Sequence, residues 1–372
     1  RVLVNNLENY QIYSFYVFDS QPIPTVYMPP TYAYFLYFVK IISFNKINFI
    51  SLVIFLQVIL STYSIYIFYL INKNFFSEKL CLINSFIFTF LPLNIYAPSK
   101  ISSITLQIFL SLIFLHFLFL LIKVPKNKYI LLFSVFSGLL ILTRGEFFLI
   151  LITIILLAIY KKNIKINNLK KVILIIFITV SPYLIRNYNT FNEIVIVKSL
   201  GYNLWKGNNE YSPVEGYENY KSPKLYNFKI ELDKLEKNKN YEISRDNFFL
   251  DKAKTNLIKD PSRYISLFFK KLFSFYFIDL NSSYKNYYHY LHFFPILLIS
   301  ILSVPGFLIL LKKNKYRINY LELYLLSNLF LFSVFFILPR YKLIIIPIQI
   351  IFVGFLIQYL FNKFYKKKLK DE

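Results

Sequence analysis

The chain reads as an all-α polytopic membrane protein, and three observations predict it. Hydrophobic residues fill 56% of 372 positions and gather in apolar runs too long for strands or for the core helices of a soluble domain. The formal charge of +24 is spread between those runs rather than collected in one patch, so membrane lipids and no nucleic acid are the expected partners. Each run must close its own backbone hydrogen bonds in lipid, which favours helix over strand despite the abundance of Ile, Phe and Tyr. One cysteine and three histidines exclude a disulfide framework and leave a Cys/His zinc site without ligands.

Residues 1–49 read as a first external loop with interfacial helices. Within it, Tyr27-Met28-Pro29-Pro30 enforces an extended entry into an aromatic segment, 31–44, that Lys40 interrupts and that suits a helix lying at headgroup depth. Residues 50–185 hold six spans, at about 50–71, 80–97, 101–122, 129–143, 146–160 and 172–185. Residues 186–289 form one large external loop with 17 basic and 12 acidic side chains and no long apolar run; after Pro261 its stretch 263–277 has the periodicity of an interfacial helix. Residues 290–361 supply three more spans, at 290–311, 321–338 and 342–361, and 362–372 is a basic tail.

The connections fix an expected orientation. Segments 72–79, 123–128, 161–171, 312–320 and 362–372 carry 19 Lys or Arg between them, whereas the alternate short connections hold only Lys100, Arg144 and Arg340. The first set is therefore expected in the cytoplasm, and the large loop outside. A Lys-rich, Ile-, Asn- and Phe-rich composition accords with an AT-rich bacterial genome. The external start at Arg1, with no Met, predicts a missing first membrane helix.

Arginine is scarce, 7 residues in all, yet Arg144, Arg186 and Arg340 fall at external span ends, where positive charge is disfavoured. Guanidinium grips phosphate in a bidentate fork, so three of them could hold a phosphate at headgroup depth; snorkelling to lipid phosphates is the alternative. Glu146 follows Arg144 by two residues and is either a membrane-edge functional carboxylate or its ion-pair partner. The string Ser199 to Asn209 carries the single tryptophan, Trp205, with Asn203, Asn208 and Asn209 as donors and acceptors and Gly201 and Gly207 permitting positive φ. It suits recognition of a sugar ring or a lipid-linked headgroup, and equally a tight structural loop. No phosphate-cradling glycine loop, His-Glu-x-x-His or G-x-S-x-G occurs, which leaves nucleotide hydrolysis, zinc proteolysis and serine hydrolysis unsupported.

Together these strings resemble the GT-C type membrane glycosyltransferases, in the bacterial branch related to protein O-mannosyltransferase and the lipid A aminoarabinose transferase. The residues that carry the resemblance are Tyr27-Met-Pro-Pro-Thr-Tyr32, Leu142-Thr-Arg-Gly-Glu146, Pro182 to Tyr188 running into Gly201 to Asn209, and Pro339 to Pro347. The resemblance implies a GT-C-like helical bundle with external juxtamembrane helices, moving a sugar from a polyprenyl-phosphate donor to a lipid, glycan or protein acceptor of the cell envelope. It implies Arg144, Arg340, Lys342 and Arg186 at the donor phosphate, and Tyr27, Tyr202, Asn203, Trp205, Asn208, Asn209 and Tyr341 around the substrate, with Glu146 as accessory. It names no certain cofactor and leaves a divalent metal open. The family's catalytic acid belongs shortly after the first helix, upstream of Arg1; Asp19 and Glu8 are the carboxylates left before the first visible span, and a chain lacking that acid is expected to be inactive. Two other readings are a non-enzymatic flippase of lipid-linked sugars and an O-antigen polymerase or ligase.

Overall fold

A computed structural model describes residues 2–18, 21–43 and 48–371, with side chains through 364. Asp19 therefore lies outside the described residues. In chain order the structure has α1 (Val2–Tyr10), a two-residue hairpin of β1 (Val17–Phe18) and β2 (Gln21–Pro22), α2 (Pro30–Ser43), α3 (Phe49–Asn72), α4 (Glu78–Phe90), α5 (Pro92–Tyr96), α6 (Ile104–Lys123), α7 (Asn127–Thr143) and α8 (Phe147–Tyr160). Then follow α9 (Ile166–Phe191), α10 (Leu200–Asn208), α11 (Tyr226–Asp233), α12 (Tyr241–Lys259), α13 (Pro261–Tyr276), α14 (Tyr290–Lys313), α15 (Tyr320–Val334) and α16 (Lys342–Asp371).

The fold is all-α, and its apolar helices match the expected spans one for one. Five helices, α3, α6, α9, α14 and α16 with its lead-in, are long and apolar enough to cross a membrane. The sixth is a pair, α4 and α5, bent by 57° where Pro92 supplies no N–H and the chain at Leu91 leaves the helical region. Helices α7, α8 and α15 are apolar but shorter. Burial separates centre from rim: 72% of the apolar window is buried in α6 and in the last span, against 22% in α3 and 28% in α9. The rim helices turn rings such as Phe55, Phe86 and Phe177 outward, the surface a lipid-facing bundle presents.

Side-chain chemistry at the helix contacts suits an interior without water. Asn84 donates to Asn72 at 2.7 Å across α3 and α4, and Ser64, Ser134 and Ser137 return their hydroxyl protons to carbonyls one turn back. Gly306 lets α14 lie directly on α16, since a Cβ there would stand 1.8 Å from the Phe352 carbonyl oxygen. The connections at 161–165 and 314–319 share one end, where Lys161 bonds Asn319 and Asn163 donates to Tyr320. At the other end α10 to α13 and residues 2–18 and 21–29 build a cap.

Two expectations change here. The span expected at 172–185 runs from Ile166 to Phe191, so Arg186 belongs to a helix and not to the large loop. The string 199–209 is the helix α10 rather than a glycine-hinged loop; among the described glycines only Gly216 has positive φ. Gly201 and Gly207 serve approach instead: a Cβ would meet Asp246 O at 2.1 Å and Phe335 O at 1.9 Å, so α10 packs backbone to backbone on α12 and on the end of α15.

Candidate functional site

Helices α8 and α9 diverge and leave a cleft of about 840 Å³ between them. Phe148, Ile152 and Leu156 line one wall and Ile173, Phe177 and Leu184 the other. Most of these side chains are exposed, so the cleft opens sideways through the apolar belt. Eight residues separate Phe148 from Leu156, a run of about 12 Å along the helix. The end beneath the cap is polar, with Arg144, Glu146, Ser199, Asn203 and Tyr341.

Arg144 is held by its inner nitrogen. Its Nε donates to Gln107 Oε1 at 3.2 Å and stands 3.3 Å from Glu146 Oε1, while the guanidinium carbon lies 5.0 Å from the ring centre of Tyr341 and 5.8 Å from that of Phe332. Gln107 reaches it from α6, where Thr105 to Gln107 are buried. The guanidinium therefore sits between the carboxylate of Glu146, with which it pairs, and the rings of Tyr341 and Phe332, which orient it. Arg340 lies over the same ring, its guanidinium carbon 5.6 Å from the centre of Tyr341, on an exposed turn. Two guanidinium groups thus share one tyrosine at the cleft's polar end.

Other expected residues fall elsewhere. Arg186 donates to Thr25 O at 2.7 Å and Asn187 Oδ1 at 2.8 Å, and packs over Tyr13 and Phe191; it ties the first segment to α9 and has no free face toward the cleft. Lys342 is buried and gives its ammonium to the carbonyls of Phe275 and Tyr276, where it caps the C-terminus of α13. Trp205 is no exposed platform: it stacks on Phe228 at 4.4 Å and on Tyr220 at 6.1 Å in the hydrophobic centre of the cap. Asn208 bonds Leu204 O and Val334 O, and Asn209 bonds Tyr217 O, so both close backbone groups in the cap. Glu8 is exposed on α1, 3.8 Å from Lys40.

Tyr27 and Tyr202 do come together, with ring centres 5.7 Å apart, over a residue the sequence did not single out, Arg245 of α12. Glu242, one turn earlier, accepts from Thr25 Oγ1, Val26 N and Tyr27 N, and so clamps the segment from Thr25 to Tyr27 onto α12. Burial raises its carboxyl above the ordinary range, against those donors, which lower it. Asp246 accepts from Tyr202 N and fixes the start of α10. Beside them Glu218 takes the Tyr202 hydroxyl and the Lys206 ammonium; burial brings Lys206 down to about 8, with the charge of Arg340 adding to it. Lys206 also covers the face of Phe336, which lines the cleft, so the two regions adjoin. Only the scarcity of arginine could have pointed to Arg245 from the sequence, because Tyr27 and Tyr202 reach it from distant positions in the chain.

No three His, Cys, Asp or Glu side chains stand together as a metal site among the described residues. No family model, curated protein or solved structure matches the chain.

Proposed function

We propose that the chain is the membrane body of a glycosyltransferase that takes a sugar from a polyprenyl-phosphate donor and passes it to an acceptor at the outer face of the membrane. The observation that carries this reading is the laterally open apolar cleft ending at Arg144 and Tyr341. An isoprenoid enters such a cleft from the bilayer and is paid for by burial of its hydrocarbon against α8 and α9. Its phosphate then meets the guanidinium of Arg144, with Arg340 on the same tyrosine as a second cation. Gln107 and Glu146 hold the first guanidinium in place, so little reorganisation is needed when charge moves onto the phosphate. In the transfer, a lone pair on the acceptor oxygen forms the new bond to the anomeric carbon as the bond to the phosphate oxygen breaks. The bonding pair departs on the phosphate, the acceptor proton passes to a carboxylate base, and the configuration inverts. Asn203 offers amide groups to the sugar hydroxyls at the cleft's mouth.

The test measures undecaprenyl phosphate binding to the protein in nanodiscs, and release of labelled sugar from the corresponding glycosyl ester. Arg144→Ala is expected to weaken binding by about tenfold or more, and Arg144→Lys to restore part of it, since a point charge replaces the fork. Unchanged binding and turnover in Arg144→Ala would sink the assignment. Flux of intact donor across liposomes with its glycosidic bond uncleaved would make the chain a flippase instead.

A further inference from the structure

We propose that the cluster of tyrosines around Arg245 in the cap binds a saccharide bearing a carboxylate or phosphate group. This inference stands apart from the transfer reaction and from the polyprenyl cleft. The guanidinium carbon of Arg245 lies 5.5 Å from the ring centre of Tyr27, 4.9 Å from Tyr202 and 4.8 Å from Phe249. Tyr16 and Tyr241, 5.3 Å apart, continue the wall, and the charge of Arg245 reaches the Tyr220 hydroxyl. These tyrosines come from the first segment, α10, the loop before α11, and α12, so the fold gathers them. All are half-buried, as is Arg245.

The carboxylates that could neutralise Arg245 are committed elsewhere. Glu242 sits one helical turn before it, in reach of an i,i+3 pair, yet both its oxygens face Thr25, Val26 and Tyr27. Asp246 is turned to the amide of Tyr202, and Glu218 to Tyr202 and Lys206. Among the described residues Arg245 has no ion pair, whereas Arg144, Lys198, Lys206 and Lys252 each have one. The acids of α12 thus position the two tyrosines and leave the cation between them uncovered.

The guanidinium is half-buried, lies among ring faces and is close to the hydroxyls of Tyr27 and Tyr220, and its fork of N–H groups matches a carboxylate or phosphate. The rings contribute what a bare anion cannot use: flat apolar faces for the C–H side of a pyranose, and hydroxyl groups for its oxygens. Glu218, with two-fifths of its side chain exposed, offers an acceptor to a sugar hydroxyl at the rim.

The cap carries its own reporter, because Trp205 is the single tryptophan and stacks on Tyr220. Titrating the nanodisc-embedded protein with glucuronate, glucose 1-phosphate, glucose and inorganic phosphate, and following Trp205 emission, tests the site. A saturable response to either charged sugar, at least about tenfold tighter than to glucose or to phosphate, is expected, and the tighter of the two names the anion. Arg245→Gln is expected to lose about tenfold in affinity for that sugar and Arg245→Lys less. Equal affinity for glucose, equal affinity for inorganic phosphate, no response to either charged sugar, or undiminished binding in a folded Arg245→Gln each overturns the proposal. If both variants fail to fold, the ligand comparison on the unaltered protein decides alone. Undecaprenyl phosphate is absent throughout, so this outcome is independent of the cleft.

Discussion

Single residues here show how burial decides what a charge can do. Lys271 is fully buried, and its ammonium donates to Gly207 O and Asn208 Oδ1, both at 2.9 Å, at the C-terminal end of α10. The helix dipole favours a cation there, but burial dominates and brings the group from its ordinary value of 10.5 down to about 7. Between those two values the unfolded chain holds more protons than the folded one, so stability rises with pH across that interval and levels off above it. Thermal unfolding of the cap, followed through Trp205 on the same helix, is expected to shift upward from pH 7 to pH 10 and to lose most of that slope in Lys271→Met. Arg144 and Arg186 make the same point with opposite results. Both were legible as scarce cations at span ends, but Arg186 is consumed by the carbonyls of Thr25 and Tyr13, while Arg144 lines the cleft with its guanidinium against the ring of Tyr341.

At the scale of elements, helix against helix is governed by what fits between backbones. Ala at Gly306 would place a methyl 1.8 Å from the carbonyl oxygen of Phe352, and no side chain can move aside because the obstacle is main chain. Gly306→Ala is therefore expected to separate α14 from α16 and to cost about 3 kcal/mol, read as a lower aggregation temperature in detergent. A matching change at Gly145, whose nearest neighbours are Val197 side-chain atoms at 3.7 Å and beyond, is expected to cost far less. In the cap the same close approach, at Gly201, is joined by a buried carboxylate, Asp246, and by the aromatic centre around Trp205, Phe228 and Phe249. Trp205 looked like a binding platform because flat rings serve both purposes, and the periodicity that would have marked α10 as a helix is masked by two glycines.

For the whole molecule, the distribution of lysines predicts which end faces the cytoplasm. Cys81 is the only cysteine and is buried, so the chain is nearly ready for single-cysteine mapping. With Cys81→Ser as background, Lys162→Cys is expected to be labelled by a membrane-impermeant maleimide only after the cells are opened, and Lys221→Cys in intact cells. The reverse pattern would invert the orientation and place the cap, with Arg245 and its tyrosines, inside. The sequence by itself determined the all-α architecture, the positions of the apolar helices and the charge asymmetry between their ends, because lipid forces each segment to satisfy its own backbone and each charge to lie near water. Only the tertiary structure decided that α8 and α9 part to form a cleft, that Arg144 and Arg340 share Tyr341, and that Glu242 holds Tyr27 beside Arg245. Those outcomes depend on which side chains from distant segments meet, and local periodicity carries no record of such meetings.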